Sequence, residues 1–271
     1  GKCGMNNFKT TFLLGCLTLL VVFCGYALGG QAGMIAAFIF ACLMNLGSWW
    51  FSDKLVLAMN RAQPLAEAEA PEVFQIVRKL SEKAGIPMPR LYMLPSASAN
   101  AFATGRNPEH AAIAVTHGIV GLLNKEELSG VLGHELSHVL NRDILLSSIV
   151  ATLAGALSMI ASMFRWSFFW GGERDERESG HPLALLLVSI VMPLVAMLIQ
   201  LAISRSREYE ADLGGAKLCE EPLYLSSALV KIEAASKRLP LREAVPATAH
   251  LFILNPLSGK GWAALLSTHP P

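Results

Sequence analysis

Four long apolar runs dominate the pattern of hydrophobic and polar positions along this 271-residue chain. They cover about residues 12–28, 34–51, 144–164 and 183–203, and each approaches the roughly 20 apolar residues with which a helix crosses a bilayer. Only the glycine-rich stretch 29–33 separates the first two runs, which predicts a tight helical hairpin. A cleaved signal peptide is the alternative for the first run, but the second run directly behind it favours a hairpin anchor.

The segment between the second and third runs carries shorter patterns. Pro71 is a favoured first residue of a helix and Gly85 a favoured end, so a helix is predicted between them. Three short strands are predicted after it, at Arg90–Leu94, 99–104 and 111–116, because β-type runs there are bounded by turn residues. The sequence therefore predicts a small β-sheet in a polar part of the chain.

A second helix is predicted to begin near Asn124. Glu127 follows three residues later, which is the spacing of a capping box. Apolar residues then recur at the spacing of one helical face: Leu128, Val131, Leu132, Leu136 and Val139.

Composition strengthens the prediction of a membrane protein. The chain is 53% hydrophobic and only 16% charged, with a mean hydropathy of +0.44, which is more apolar than an ordinary soluble enzyme. A formal net charge of +1 and the lack of basic runs argue against a nucleic-acid partner. The five cysteines show no C-x-x-C spacing, so we expect neither a disulfide framework nor a cysteine-ligated metal.

The second predicted helix contains His134-Glu135-Leu136-Ser137-His138, which is the pattern H-E-x-x-H. Residues four apart lie on one face of a helix, so His134 and His138 can bind one zinc ion. Glu135 lies beside the metal and is free to act as a general base. The motif therefore predicts metal-assisted hydrolysis, with one zinc ion per subunit.

A catalytic zinc ion usually has a third protein ligand. The best downstream candidates are Glu208 and Asp212, which are four residues apart at the end of the fourth apolar run. Either carboxylate can bind the metal while the other holds an imidazole N–H.

The predicted strands before this helix also suit a peptidase, because an exposed strand edge can pair with an extended peptide. Asn100, Ala101, Phe102 and Ala103 are the candidates for that edge. An ordinary sheet interior is an equally good interpretation of these four residues.

These features together resemble the HtpX family of bacterial membrane zinc metalloproteases, which are relatives of the CAAX prenyl endopeptidases. The likeness covers nearly the whole chain and includes the paired N-terminal runs. Its motifs lie at residues 5–9, 100–105, 134–143, 208–212 and 269–271. Four residues precede Met5, where the family usually starts, and relatives continue beyond Pro271, so a further C-terminal helix is expected.

The resemblance implies a gluzincin site, in which Glu208 is the third zinc ligand and Asp212 supports a histidine. It also implies that His269 helps to stabilise the transition state. The implied function is proteolysis in membrane protein quality control and the stress response. The expected partners are the lipid bilayer, membrane-protein or unfolded polypeptide substrates, and other membrane quality-control proteases.

The expected fold is a mostly helical α+β integral membrane protein with four transmembrane helices and a cytoplasmic gluzincin-type domain. Residues 1–51 form the first hairpin, 52–143 the first peptidase part with the zinc helix, 144–203 the second hairpin, and 204–271 the second peptidase part. Lysines and arginines flank these segments on one side, which predicts cytoplasmic termini and a cytoplasmic active site at the inner membrane.

Three other functions fit parts of the pattern. A CAAX-type prenyl-protein peptidase would share the site, but relatives of that type are longer and have more spans. A catalytically silent, zinc-stabilised scaffold or holdase would have no need of Glu135. A transporter would carry charges inside its spans, and the four apolar runs have almost none.

Overall fold

The first helix reverses its direction. The structure, a computed structural model, describes residues 2–155, 205–238 and 246–253, and α1 covers Lys2–Met59. Asn45 Nδ2 donates to Thr18 Oγ1 at 2.8 Å, although 27 residues separate them; in a straight helix that separation would be about 40 Å. Gly30 lies near the midpoint with a φ of 59°, a conformation that costs glycine little. The predicted chain reversal is therefore confirmed.

Within the described residues, one helical segment is long and apolar enough to cross a membrane, and it is Gly30–Met59. A shorter apolar helix, α5, is described over Ile144–Gly155. The predicted run 144–164 continues beyond the described residues, and 183–203 lies outside them. The number of transmembrane helices therefore stays a prediction.

A four-stranded mixed sheet lies in the order β1-β2-β4-β3. Strand β2 (Arg90–Leu94) pairs in parallel with β4 (Ala112–Thr116) at the centre of the sheet. Strand β3 (Ala101–Thr104) pairs antiparallel with β4 and forms one edge. The short strand β1 (Gln63–Pro64) forms the other edge. The predicted small sheet is confirmed. Strand β1 was not predicted, because a strand of two residues has too short a pattern to recognise in the sequence.

Each of the remaining helices contacts either this sheet or one central helix. Helix α2 covers Pro71–Ala84 and ends at Gly85, which has a φ of 68°, as predicted. The other helices are α3 (His117–Leu122), α4 (Lys125–Asn141), α6 (Arg205–Cys219) and α7 (Leu223–Arg238), with short 3₁₀ turns at Pro108–His110 and Pro246–Leu251.

Helix α4 lies at the centre, in contact with α2, β3, α6 and α7. Its start is the predicted capping box: Asn124 accepts from the backbone N–H of Glu127, and the Glu127 side chain accepts from the Asn124 N–H. The same carboxylate accepts from Ser227 Oγ at 2.6 Å and from Lys231 Nζ at 2.8 Å. One side chain therefore caps α4 and joins it to α7.

Candidate metal centre

The H-E-x-x-H motif lies in the middle of α4, where the helix is most deeply buried. His134 is 1% exposed and Glu135 is 2% exposed, whereas His138 is partly exposed. The helix ends three residues after His138, and Arg142 there takes a left-handed φ of 53°. The motif is thus held on a buried helix that ends shortly after His138.

Helices α4 and α6 cross at very close range because both carry glycines at the crossing. A Cβ atom on Gly215 would lie 2.8 Å from the backbone nitrogen of His134, and one on Gly214 would lie 2.6 Å from Ser137 Oγ. Only glycine fits such a crossing without displacement. One and two turns earlier on α6, Asp212 and Glu208 are therefore brought beside the imidazole of His134.

His134, His138 and Glu208 form a cluster that could hold a metal ion. The two Nε2 atoms lie 3.1 Å apart, and Glu208 Oε2 lies 3.7 Å from His134 Nε2 and 3.9 Å from His138 Nε2. Tetrahedral zinc with bonds of 2.0–2.1 Å needs ligand atoms about 3.3 Å apart. The three distances between the ligand atoms lie on either side of this value, so the side chains fit a zinc ion.

Each imidazole has a carboxylate behind it. His134 Nδ1 lies 2.9 Å from Asp212 Oδ1, and His138 Nδ1 lies 3.1 Å from both oxygens of Asp143. A carboxylate on Nδ1 fixes the tautomer that presents Nε2 to a metal. The structure thus brings Asp212 against His134, and it also brings Asp143, which the sequence analysis did not find, against His138.

The charges of the cluster also call for a cation. Burial lowers the pKa of His134, although its hydrogen bond to Asp212 opposes this. Burial acts in the same direction on His138, but the Asp143 carboxylate and other nearby acids outweigh it and raise its pKa to about 10. The nearby acids are Glu135, Asp143, Glu208 and Asp212, and the buried Arg207 is the cation that acts on Asp143 and Glu208. The acids around the cluster hold a positive charge on His138, and a bound metal ion could supply that charge in place of the proton.

Glu135 has a different environment from the acids that support the histidines. Burial raises its pKa to about 8; the charge of His138 opposes the rise and that of Glu208 assists it. Its carboxylate also accepts a hydrogen bond from the backbone of Ala103 on strand β3. The side chain is therefore fixed between the metal ligands and the sheet edge, with a pKa near neutrality.

The candidate substrate strand is at the sheet edge, but its outer face is partly occupied. Thr116 N donates to Asn100 O at 3.0 Å, and the antiparallel alternation then turns the backbone of Ala101 and Ala103 outward. Ile253 N donates to Ala101 O at 3.0 Å. Phe102 is fully buried and contacts Phe252, with ring centroids 5.1 Å apart. Of the four candidates, Ala103 is the one next to Glu135.

His269 lies outside the described residues, so its expected role stays a prediction. His250 is buried, and its Nε2 lies 3.3 Å from the Ser147 carbonyl oxygen on α5.

Comparison with known proteins agrees with this geometry. The sequence model of peptidase family M48 matches residues 67–271. This chain belongs to peptidase family M48. The M48 chain is 55% identical over 269 residues to the Protease HtpX homolog of Syntrophobacter fumaroxidans (strain DSM 10017 / MPOB), covering 98% of this chain and 95% of that protein. It is 51% identical over 263 residues to the Protease HtpX homolog of Pyrococcus furiosus (strain ATCC 43587 / DSM 3638 / JCM 8422 / Vc1), covering 97% and 91%.

A solved structure, that of Ste24p from S. mikatae, aligns with a TM-score of 0.48 and 19% identity over 90% of this chain and 60% of that one. The resemblance to HtpX proteases is confirmed by the sequence relatives. The M48 chain is thus a metalloprotease and a membrane protein.

Proposed function

We propose that this M48 peptidase is a zinc-dependent endopeptidase that hydrolyses peptide bonds of misfolded or damaged membrane proteins. The observation that supports it best is the triangle of ligand atoms from His134, His138 and Glu208, with Glu135 beside it. When bound there, zinc would polarise a peptide carbonyl and lower the pKa of a water molecule.

Glu135 is the general base of this proposal. Its carboxylate would first accept a proton from water and then donate it to the leaving amine. The hydrogen bond from the Ala103 backbone holds the carboxylate in place. Asp143 and Asp212 orient the two imidazoles.

The substrate backbone would pair with the outer edge of β3. Because Ile253 already donates to the Ala101 carbonyl, pairing would centre on the Ala103 carbonyl, which projects on the same side as Glu135. Asn100, Ala101 and Phe102 then shape and support this strand, since all are buried. An extended, locally unfolded peptide is the substrate form that such an edge accepts.

A purely structural zinc site is less well supported. Such a site normally has four protein ligands, whereas the cluster within the described ranges has three. Glu135 is buried beside these three ligands. A structural zinc site would have no use for this carboxylate, so its presence also favours a catalytic site.

The proposed location is the inner membrane of a bacterium, with several spans and with termini and active site on the cytoplasmic side. The distribution of lysine and arginine around the apolar runs supports this orientation. Cytoplasmic loops of misassembled membrane proteins would then reach the site, which agrees with a role in quality control and the stress response.

The test compares the parent with Glu135→Gln and Glu208→Ala in detergent. Glu135→Gln should keep one zinc ion per chain by elemental analysis and lose cleavage of unfolded casein. Glu208→Ala should lose zinc as well. Cleavage by Glu135→Gln at the parent rate would refute the mechanism, and faster cleavage of a prenylated C-a-a-X peptide than of casein would refute the proposed substrate class.

A further inference from the structure

The membrane surface can be located on α1 by helix length. From Gly30, where the chain turns, to Trp49 there are twenty residues without a charged side chain. At 1.5 Å per residue these span about 30 Å, the thickness of the hydrocarbon core. Trp49 and Trp50 are 40% and 53% exposed, and tryptophan is enriched at membrane–water interfaces. The two indoles therefore mark the membrane surface.

A residue of the peptidase domain stacks on these indoles. The Arg106 guanidinium lies 4.4 Å from the ring centroid of Trp50 and 5.5 Å from that of Trp49. Its Nη1 also donates to the Trp50 carbonyl oxygen at 3.4 Å. We call these three residues the Trp–Arg clamp. Because a guanidinium has five N–H donors, the clamp leaves several of them for another acceptor.

The charges around the clamp are positive. Asp53, the first acid after the tryptophans, forms an ion pair with Arg90 at 2.6 Å. Lys54 is exposed one turn after Trp50, on the same face of α1. Glu109 is exposed in the 3₁₀ turn that begins two residues after Arg106, and among the described residues the two form no ion pair. Arg106 and Lys54 thus place two cations at headgroup height.

The Trp–Arg clamp is connected to strand β3. Arg106 follows β3 by two residues, and Gly105 between them has a φ of 140° with no room for a Cβ atom next to the His110 carbonyl. Thr104 Oγ1 lies 2.7 Å from Ser148 Oγ on α5, to which Gly105 N also donates. The end of β3 is therefore held rigidly between two helices, α1 and α5.

We propose that Arg106 and Lys54 form a binding site for the phosphate of an anionic phospholipid, with Trp49 and Trp50 as its floor. The indoles hold the guanidinium by cation–π contact and leave its outer edge facing the headgroups. A bidentate phosphate contact suits arginine, and lysine adds a second charge. The bound lipid fixes the height of the β3 end above the membrane.

The test measures lipid preference directly. The full chain is reconstituted in phosphatidylcholine vesicles with trace spin-labelled phosphatidylglycerol or phosphatidylcholine, and electron paramagnetic resonance gives the relative association constant. The parent should prefer phosphatidylglycerol, and Arg106→Gln should lower that preference about fivefold. Lys54→Gln should lower it in the same way while leaving the stacked Arg106 in place.

Arg78→Gln is the matched control, because Arg78 is exposed on α2 in an ion pair with Glu67, away from the clamp. It should keep the parent preference. The proposal is overturned if Arg106→Gln and Lys54→Gln both keep the parent preference, or if Arg78→Gln lowers it equally. The thermal midpoint of each variant in phosphatidylcholine shows whether that variant is folded. If Arg106→Gln is not folded, the lipid preference of Lys54→Gln alone tests the proposal.

Discussion

Both carboxylate oxygens of Asp143 lie 3.1 Å from Nδ1 of His138. Asp143 is 3% exposed, so its charge acts on the imidazole through little water, and it contributes to raising the pKa of His138. In this position the carboxylate orients the ring and makes Nε2 a better ligand. Asp143 is therefore placed to position His138, just as Asp212 lies behind His134.

Asp143→Ala should weaken zinc binding about 10- to 100-fold, the usual effect of removing a carboxylate behind a metal-binding histidine. Asp143→Asn should weaken it less, because an amide oxygen still accepts from Nδ1 but carries no charge. Competition with a fluorescent zinc chelator measures both. Equal zinc affinity in the parent and in Asp143→Ala would show that Asp143 has no positioning role.

The sequence predicts the helix that carries the two histidines, but it does not predict that Asp143 lies behind His138. On a continuous helix, Asp143 would lie about 140° around the axis from His138 and would face elsewhere. It reaches the imidazole because α4 ends at Asn141 and Arg142 takes a left-handed conformation. A left-handed arginine has no clear sequence signal, whereas the i, i+4 spacing of the histidines is fixed by helix geometry.

The glycines at the helix crossing gave a weak signal that the sequence analysis did not use. Gly214 and Gly215 are adjacent inside a helix, where each costs about 1 kcal/mol relative to alanine. That cost suggests close packing, but the partner helix is 80 residues away and cannot be read from local pattern. Strands β2 and β4 were predictable because their sequence patterns are local. The helix crossing that brings Glu208 to His134 depends on tertiary packing, which local patterns do not show.

Gly215→Ala should therefore impair the metal site from outside it. The new Cβ would lie 2.8 Å from the His134 backbone nitrogen, so α6 must move away from α4 and carry Glu208 with it. We expect a loss of about 1–3 kcal/mol in stability and weaker zinc binding in the chelator assay. Gly121→Ala in α3, where a Cβ meets nothing within 4 Å, is the control: it should leave zinc affinity unchanged and should not lower stability. Unchanged zinc affinity in Gly215→Ala would contradict the close crossing.

Glu127 should make stability depend on pH in acid. Burial opposes its ionisation, but hydrogen bonds from Lys231, Ser227 and the Asn124 backbone outweigh this and lower its pKa. The group therefore stabilises the fold above its unfolded pKa of about 4.3, and that contribution is lost as the pH falls through the lower folded value.

Thermal melts in detergent should show Glu127→Gln to be less stable than the parent at pH 7, by about 1.5–3 kcal/mol for hydrogen bonds to a charged group. The difference should shrink as the pH falls below about 4. Glu233→Gln is the control, because Glu233 is 60% exposed in an ion pair with Lys237 and such pairs contribute little. A constant difference from pH 7 to pH 3 would argue against the lowered pKa.

The hydrogen bond from Ile253 N to Ala101 O should stabilise strand β3. Ala101 has no exposed surface, so a carbonyl left without a donor costs about 1–3 kcal/mol. Ile253→Pro removes the N–H and should lower the thermal midpoint, whereas Ile253→Val keeps the N–H and most of the side chain and should lower it much less. Hydrogen exchange of β3 amides should quicken in the proline variant alone. Equal exchange rates in the two variants would show that this bond does not hold the edge of β3.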